Sequence, residues 1–137
     1  MQKGQTIAGR YEVINKIGQG GMSVVYRAKD LRLGRFVTLK VLKEEHLADK
    51  EFVERFRTEA GAIASLSHPN IVNVYDVGQE DAINYIVMEY VNGVTLKELI
   101  GKHAPFQEKE IYGVAIQIAE RARDMTSKFP TIVVQNT

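Results

Sequence analysis

Gly18-Gln19-Gly20-Gly21 is bracketed on both sides by β-prone runs, and no other feature of the chain constrains its fold as much. Residues 11–17 (YEVINKI) alternate partly between apolar and polar, and residues 23–28 (SVVYRA) are β-branched and aromatic, so the glycines read as the tip of an antiparallel hairpin. Glycines at such tips commonly supply positive φ angles and nothing more, and that bland reading stands beside any functional one. Two functional readings fail on context. A dinucleotide-binding turn needs a helix directly after the glycines, to present its N-terminus to a pyrophosphate, and here a strand follows. A Walker loop needs Gly-Lys-Ser/Thr at fixed spacing, and none is present.

A polar turn leads into a third strand over residues 36–42 (FVTLKVL), apolar throughout its interior except at Thr38 and Lys40. Residues 49–66 then place Phe52, Phe56, Ala60, Ile63 and Ala64 at three- and four-residue intervals, the stripe of an amphipathic helix capped by Asp49 and stopped before Pro69. Two further strands, 71–77 and 83–90, form a second hairpin. A short helix capped by Thr95 and a longer one over 108–128 follow. The order β-β-β-α-β-β-α-α contains no alternating βα units, so the fold class is α+β, with a five-stranded, mainly antiparallel sheet.

Composition removes several alternatives. With 18 Lys+Arg against 17 Asp+Glu the net charge of +1 offers no field for nucleic acid or an acidic membrane surface. There is no cysteine, which excludes disulfides and thiolate metal sites and fits a cytoplasmic setting. His46, His68 and His103 are too scattered to form a metal site, and no apolar run reaches the roughly 20 residues of a membrane span. At 137 residues a single core is expected.

Gly18-Gln19-Gly20-Gly21-Met22-Ser23-Val24-Val25 between two strands, Val37-Thr38-Leu39-Lys40 in the third, and Glu59 in the helix that follows together resemble the N-terminal lobe of a protein kinase. The resemblance continues through 55–60 (RFRTEA), 66–72 (LSHPNIV) and 87–96 (VMEYVNGVTL). It points to the bacterial eukaryotic-like serine/threonine kinases, including the group with extracellular PASTA repeats. It implies an ATP-binding N-lobe over residues 1–91 with one αC-type helix, αD- and αE-like helices of a truncated C-lobe over 92–128, and an unassigned tail over 129–137.

The same resemblance implies the site. Gly18, Gly20, Gly21 and Ser23 form a lid over the triphosphate, and Lys40 neutralises phosphates while an ion pair with Glu59 holds it. Ile17, Val25 and Thr38 cover the adenine, with Met88 as gatekeeper and Glu89 to Val91 as the backbone hinge. Each of these positions also has a structural reading: the apolar residues as core, Lys40 as a stem reaching water, Glu59 as a solvated helix residue. A formed pair and a helix swung outward both satisfy the sequence. Ser23 departs from the family's third glycine, and Thr38 stands where the family has alanine. A β-branched hydroxyl in a tight apolar slot is expected to weaken ATP affinity.

The His-Arg-Asp and Asp-Phe-Gly segments that orient the substrate hydroxyl and hold Mg2+ do not occur in these 137 residues. The sequence therefore leads to an ATP-binding lobe unable to transfer phosphate by itself. Mg2+ and a protein substrate are expected only with a C-lobe in a longer parent, which could be membrane-anchored. The other class of reading is a dimerisation or regulatory module with weak or no nucleotide binding. It would pair through the N-lobe or through faces that a missing second lobe leaves open.

Overall fold

The computed structural model describes residues 1–65, 69–96, 98, 101 and 108–124. The chain forms two compact units, Met1–Ser67 with Asn73–Tyr90, and His68–Val72 with Val91–Thr137.

The first unit is an antiparallel sheet of β1 (Thr6–Ile7), β2 (Tyr11–Gln19), β3 (Ser23–Asp30), β4 (Arg35–Leu42), β5 (Val74–Glu80) and β6 (Ile83–Glu89), in the spatial order β1-β2-β3-β4-β6-β5. A 3-10 turn (Glu44–His46) and helix α1 (Lys50–Ala64) are inserted between β4 and β5. The near-continuous apolar run of β4 is explained by cover on both faces. Val37, Leu39 and Val41 enter one cluster with Tyr11, Tyr26 and Val87, while Leu42 joins Ile86, Phe56 and Ala60 beneath α1.

Asp49 caps α1 as its position implies, its Oδ1 accepting from the amides of Glu51 at 3.1 Å and Phe52 at 3.4 Å. Of the expected apolar stripe, Phe56 and Ala60 are buried, whereas Ala64 is exposed.

Two differences from the sequence reading have local causes. The sheet has six strands, not five, because Thr6 and Ile7 pair with Glu12 and Tyr11 across a tight turn in which Ala8 and Gly9 take positive φ. Two residues are too few to show a period. The fourth expected strand begins at Val74 instead of residue 71, since Ile71 and Val72 belong to the second unit and are buried.

Asp30 organises the turn between β3 and β4. Its carboxylate, 1% exposed, takes a bidentate pair from Arg10 at 2.9 and 2.8 Å, and the amides of Arg32 and Leu33 also donate to it. The Arg10 hydrogen bonds, ahead of the backbone amides, hold the carboxyl well below its ordinary value, at about 2. A depressed folded-state pKa contributes stability that is complete above the unfolded value and vanishes as pH falls through the folded one. Asp30→Asn is accordingly expected to cost about 2 kcal/mol at pH 7. The gap to wild type should close between about pH 4 and pH 2 in urea unfolding; a gap independent of pH would refute the assignment.

In the second unit, Thr95 and Glu98 form a reciprocal cap: the Glu98 amide donates to Thr95 Oγ1 at 3.1 Å, and the Thr95 amide donates to Glu98 Oε2 at 3.3 Å. Most of the short helix expected after Thr95, and the tail over 129–137, lie outside the described residues. The longer helix is α2 (Glu108–Asp124), which exposes Ile111, Tyr112, Ile116 and Ile118; residues 125–128 of the expected helix are also outside the described set. No helix among the described residues is long and apolar enough to cross a membrane.

Candidate functional site

Side chains alternate along β4, so Thr38, Lys40 and Leu42 share one face of the sheet. Direct partners in an antiparallel ladder point to the same side. The register therefore builds one row from Gly18, Val25, Lys40 and Ile86, and the next from Arg27, Thr38 and Met88. Lys40 thus projects from the same face as the root of the glycine turn, two strands away.

The glycines do not serve backbone geometry. Positive φ occurs at Gly4, Gly9 and Gly34 but not at Gly18, Gly20 or Gly21. Crowding does not require them either: a Cβ would meet nothing within 4 Å at Gly21, would lie 3.9 Å from a backbone oxygen at Gly20, and would sit 3.8 Å from Val25 Cβ at Gly18. Neither strain nor packing within the chain demands the missing side chains. What they leave is a turn free of side-chain bulk, in which the Gly20 amide donates to Ser23 O at 2.8 Å.

Around this turn the other expected residues divide. Ser23 is buried and pairs with Leu42. Ile17 falls in a bulge of β2 between Lys16 and Gly18 and is 45% exposed. Val25 and Met88 are half-buried, Met88 packing against the cluster beneath α1. Thr38 is buried beside Met88. Glu89 takes two hydrogen bonds from Asn73 on its carboxylate and donates its amide to Asn73 O at 2.8 Å. Val91 opens the second unit, exposed.

Lys40 and Glu59 do not meet as an ion pair in this structure. The salt bridges among the described residues are Arg10–Asp30, Glu45–His46 and Glu51–Arg55. Both side chains are only half-buried, so each keeps part of its hydration and neither requires the other for compensation. Among the described residues no three His, Asp or Glu side chains gather to hold a metal ion.

Three features escape the sequence because they join elements distant along the chain. Asn73 braces Glu89. The Arg27 guanidinium lies 4.1 Å from the ring centroid of Phe36 and 5.3 Å from that of Tyr90, with its Nε buried and unpaired. His46 contacts the carbonyl of Gly21. No periodicity or motif announces any of them.

Comparison with known proteins gives the family. The protein kinase domain family matches residues 11–125. Serine/threonine-protein kinase PrkC of Bacillus subtilis is 50% identical over 115 residues, which are 84% of this chain and 18% of that protein. Serine/threonine-protein kinase PknB of Mycolicibacterium smegmatis is 47% identical over 120 residues, 82% of this chain and 19% of the relative. The chain therefore spans under a fifth of the length of these curated relatives. Among solved structures, the Mycobacterium tuberculosis PknI kinase domain superimposes with a TM-score of 0.70 at 32% identity, covering 88% of this chain and 49% of that one. The PpkA-294 apo form agrees in fold, with a TM-score of 0.73 at 22% identity. A domain match over residues 11–125 and relatives 47–50% identical over more than four-fifths of its length show that the chain belongs to the protein kinase family.

Proposed function

We propose that this chain is the nucleotide-binding lobe of a bacterial serine/threonine protein kinase, of the kind that carries PASTA repeats. ATP lies with its triphosphate beneath Gly18, Gly20, Gly21 and Ser23. Lys40 neutralises phosphate charge, and the adenine rests against Ile17, Val25 and Thr38, with Met88 behind it and the backbone at Glu89 beside it. The observation that carries this reading is the glycine turn with ordinary φ angles and open Cβ positions, on the same face as Lys40. In this reading the unobstructed turn and the Lys40 amine serve one anion, which is how positioning and charge neutralisation enter phosphoryl transfer. Lys40 is assigned to hold phosphates whether or not Glu59 reaches it.

These 137 residues contain neither the His-Arg-Asp nor the Asp-Phe-Gly segment. We therefore assign to them nucleotide binding without transfer, and the phosphorylation of protein serine or threonine, with its Mg2+, to a longer parent. Isothermal titration of the chain with Mg-ATP tests the reading. We expect a dissociation constant below about 1 mM, or about 4 kcal/mol. Lys40→Met should weaken binding at least tenfold, and Thr38→Ala should tighten it by relieving the roof of the slot.

A second reading draws on the exposed Ile111, Tyr112, Ile116 and Ile118 of α2: a module that self-associates or docks on a partner and uses nucleotide little or not at all. Absence of binding by wild type and Lys40→Met alike, with dimerisation in sedimentation, would select it.

A further inference from the structure

The glycine turn is tethered at its tip. The Lys43 amide donates to Met22 O at 2.9 Å, and the Met22 side chain packs on the cluster of Leu42, Phe56, Ala60 and Ile86. The third tie is His46, whose Nε2 lies 3.2 Å from the carbonyl oxygen of Gly21. A carbonyl oxygen only accepts, so Nε2 carries the hydrogen and donates it. The neighbouring Glu45 carboxylate is 3.6 Å away, too far to compete as a hydrogen-bond acceptor. The other face of the imidazole is fixed: the ring stacks on Phe52, with centroids 4.5 Å apart and planes 10° from parallel.

We infer that His46 is a positioning residue, joining the glycine turn to α1 so that the two move as one. Phe52 lies in the first turns of α1, and Glu59 follows it by about two helical turns, on the same rod. A displacement of α1 that carries Glu59 toward Lys40 therefore carries the imidazole with it, and through the imidazole the carbonyl of Gly21. Of the other two ties, the Lys43 amide lies in the segment before α1, and Met22 reaches the cluster containing Phe56 and Ala60 of α1 only through non-directional apolar packing. The His46 tie adds a directional hydrogen bond, joining a ring stacked on the helix to the Gly21 peptide of the turn.

The inference rests on the nucleotide-binding reading, and its test separates the two. Hydrogen exchange is followed at the amides of Gly20, which donates to Ser23 O at 2.8 Å, and of Lys43, which donates to Met22 O. Amides of β4 serve as control, and Mg-ATP titration runs in parallel. His46→Phe keeps an aromatic ring on Phe52 but has no donor. Exchange at Gly20 and Lys43 should rise roughly three- to tenfold, and the Mg-ATP dissociation constant should rise by a similar factor. β4 should stay unchanged. His46→Gln, whose amide nitrogen can reach the same carbonyl, should restore both readouts, which a merely structural ring would not do.

Wild-type exchange in His46→Phe with ATP binding intact overturns the tether, as does failure of His46→Gln to restore it. Raised exchange in a chain that binds no Mg-ATP overturns instead the nucleotide reading beneath it. A variant that loosens the whole fold would show it in β4, and His46→Gln then carries the comparison.

Discussion

Gly20→Val is expected to weaken nucleotide binding while leaving the fold intact, lowering Mg-ATP affinity at least tenfold and changing stability by less than about 0.5 kcal/mol. The two halves of this expectation have separate causes. Stability is preserved because Gly20 does not use positive φ and a Cβ there would meet only a backbone oxygen at 3.9 Å. On the proposed site, affinity falls because a branched side chain fills the space over the turn that the phosphates are assigned to occupy. Titration calorimetry beside urea unfolding decides it. Valine that binds ATP as well as glycine would remove the reason for an unobstructed tip. Valine that unfolds the chain would return the glycines to a purely structural role.

The largest loss of stability is expected at Gly78, which no motif marks. Gly78 and Tyr85 are direct partners in the β5–β6 ladder. A Cβ on Gly78 would collide with the Tyr85 hydroxyl and lie 2.6 Å from Cζ and 3.1 Å from Cε1. The ring has little freedom to yield, since it is buried and makes an edge contact with Tyr11 at 6.4 Å. Burial, ahead of the Asp76 carboxylate near it, raises the Tyr85 hydroxyl pKa, as befits a phenol enclosed in the core. Gly78→Ala should cost about 3 kcal/mol through overpacking. In a Tyr85→Leu background the same alanine should cost under about 1 kcal/mol, so the double-mutant cycle must be non-additive. Equal costs in both backgrounds would show that the tyrosine is not the obstacle.

Legibility from sequence follows the range of each interaction. Strands β2, β3 and β4 can be read because each declares itself within a few residues, and Asp49 as a cap because its partners are two and three residues away. The row from Gly18 through Val25 to Lys40 is implicit in hairpin order once the resemblance to kinases fixes the roles. A two-residue β1 leaves no periodic trace. The state of Lys40 and Glu59 depends on where α1 docks, a property of packing across the unit. The grip of His46 on Gly21 spans 25 residues between two irregular segments, where hydrophobic pattern carries no information. In one respect the glycines mislead: their chemistry is visible, but the positive φ expected of a hairpin tip belongs to Gly4, Gly9 and Gly34 instead.

The sheet order places β1 and β5 at the two margins, and this decides how copies of the chain can meet. Beyond Val13, β2 has no strand neighbour on its outer side among the described residues, and there the strand is broken by two irregularities and carries Lys16. The opposite margin, β5, carries Asp76 and Glu80 and an irregularity of register between Val74 and Asp76. Bulges and charges at both borders deny an incoming strand a continuous ladder to extend. At the described borders, strand addition is thereby disfavoured.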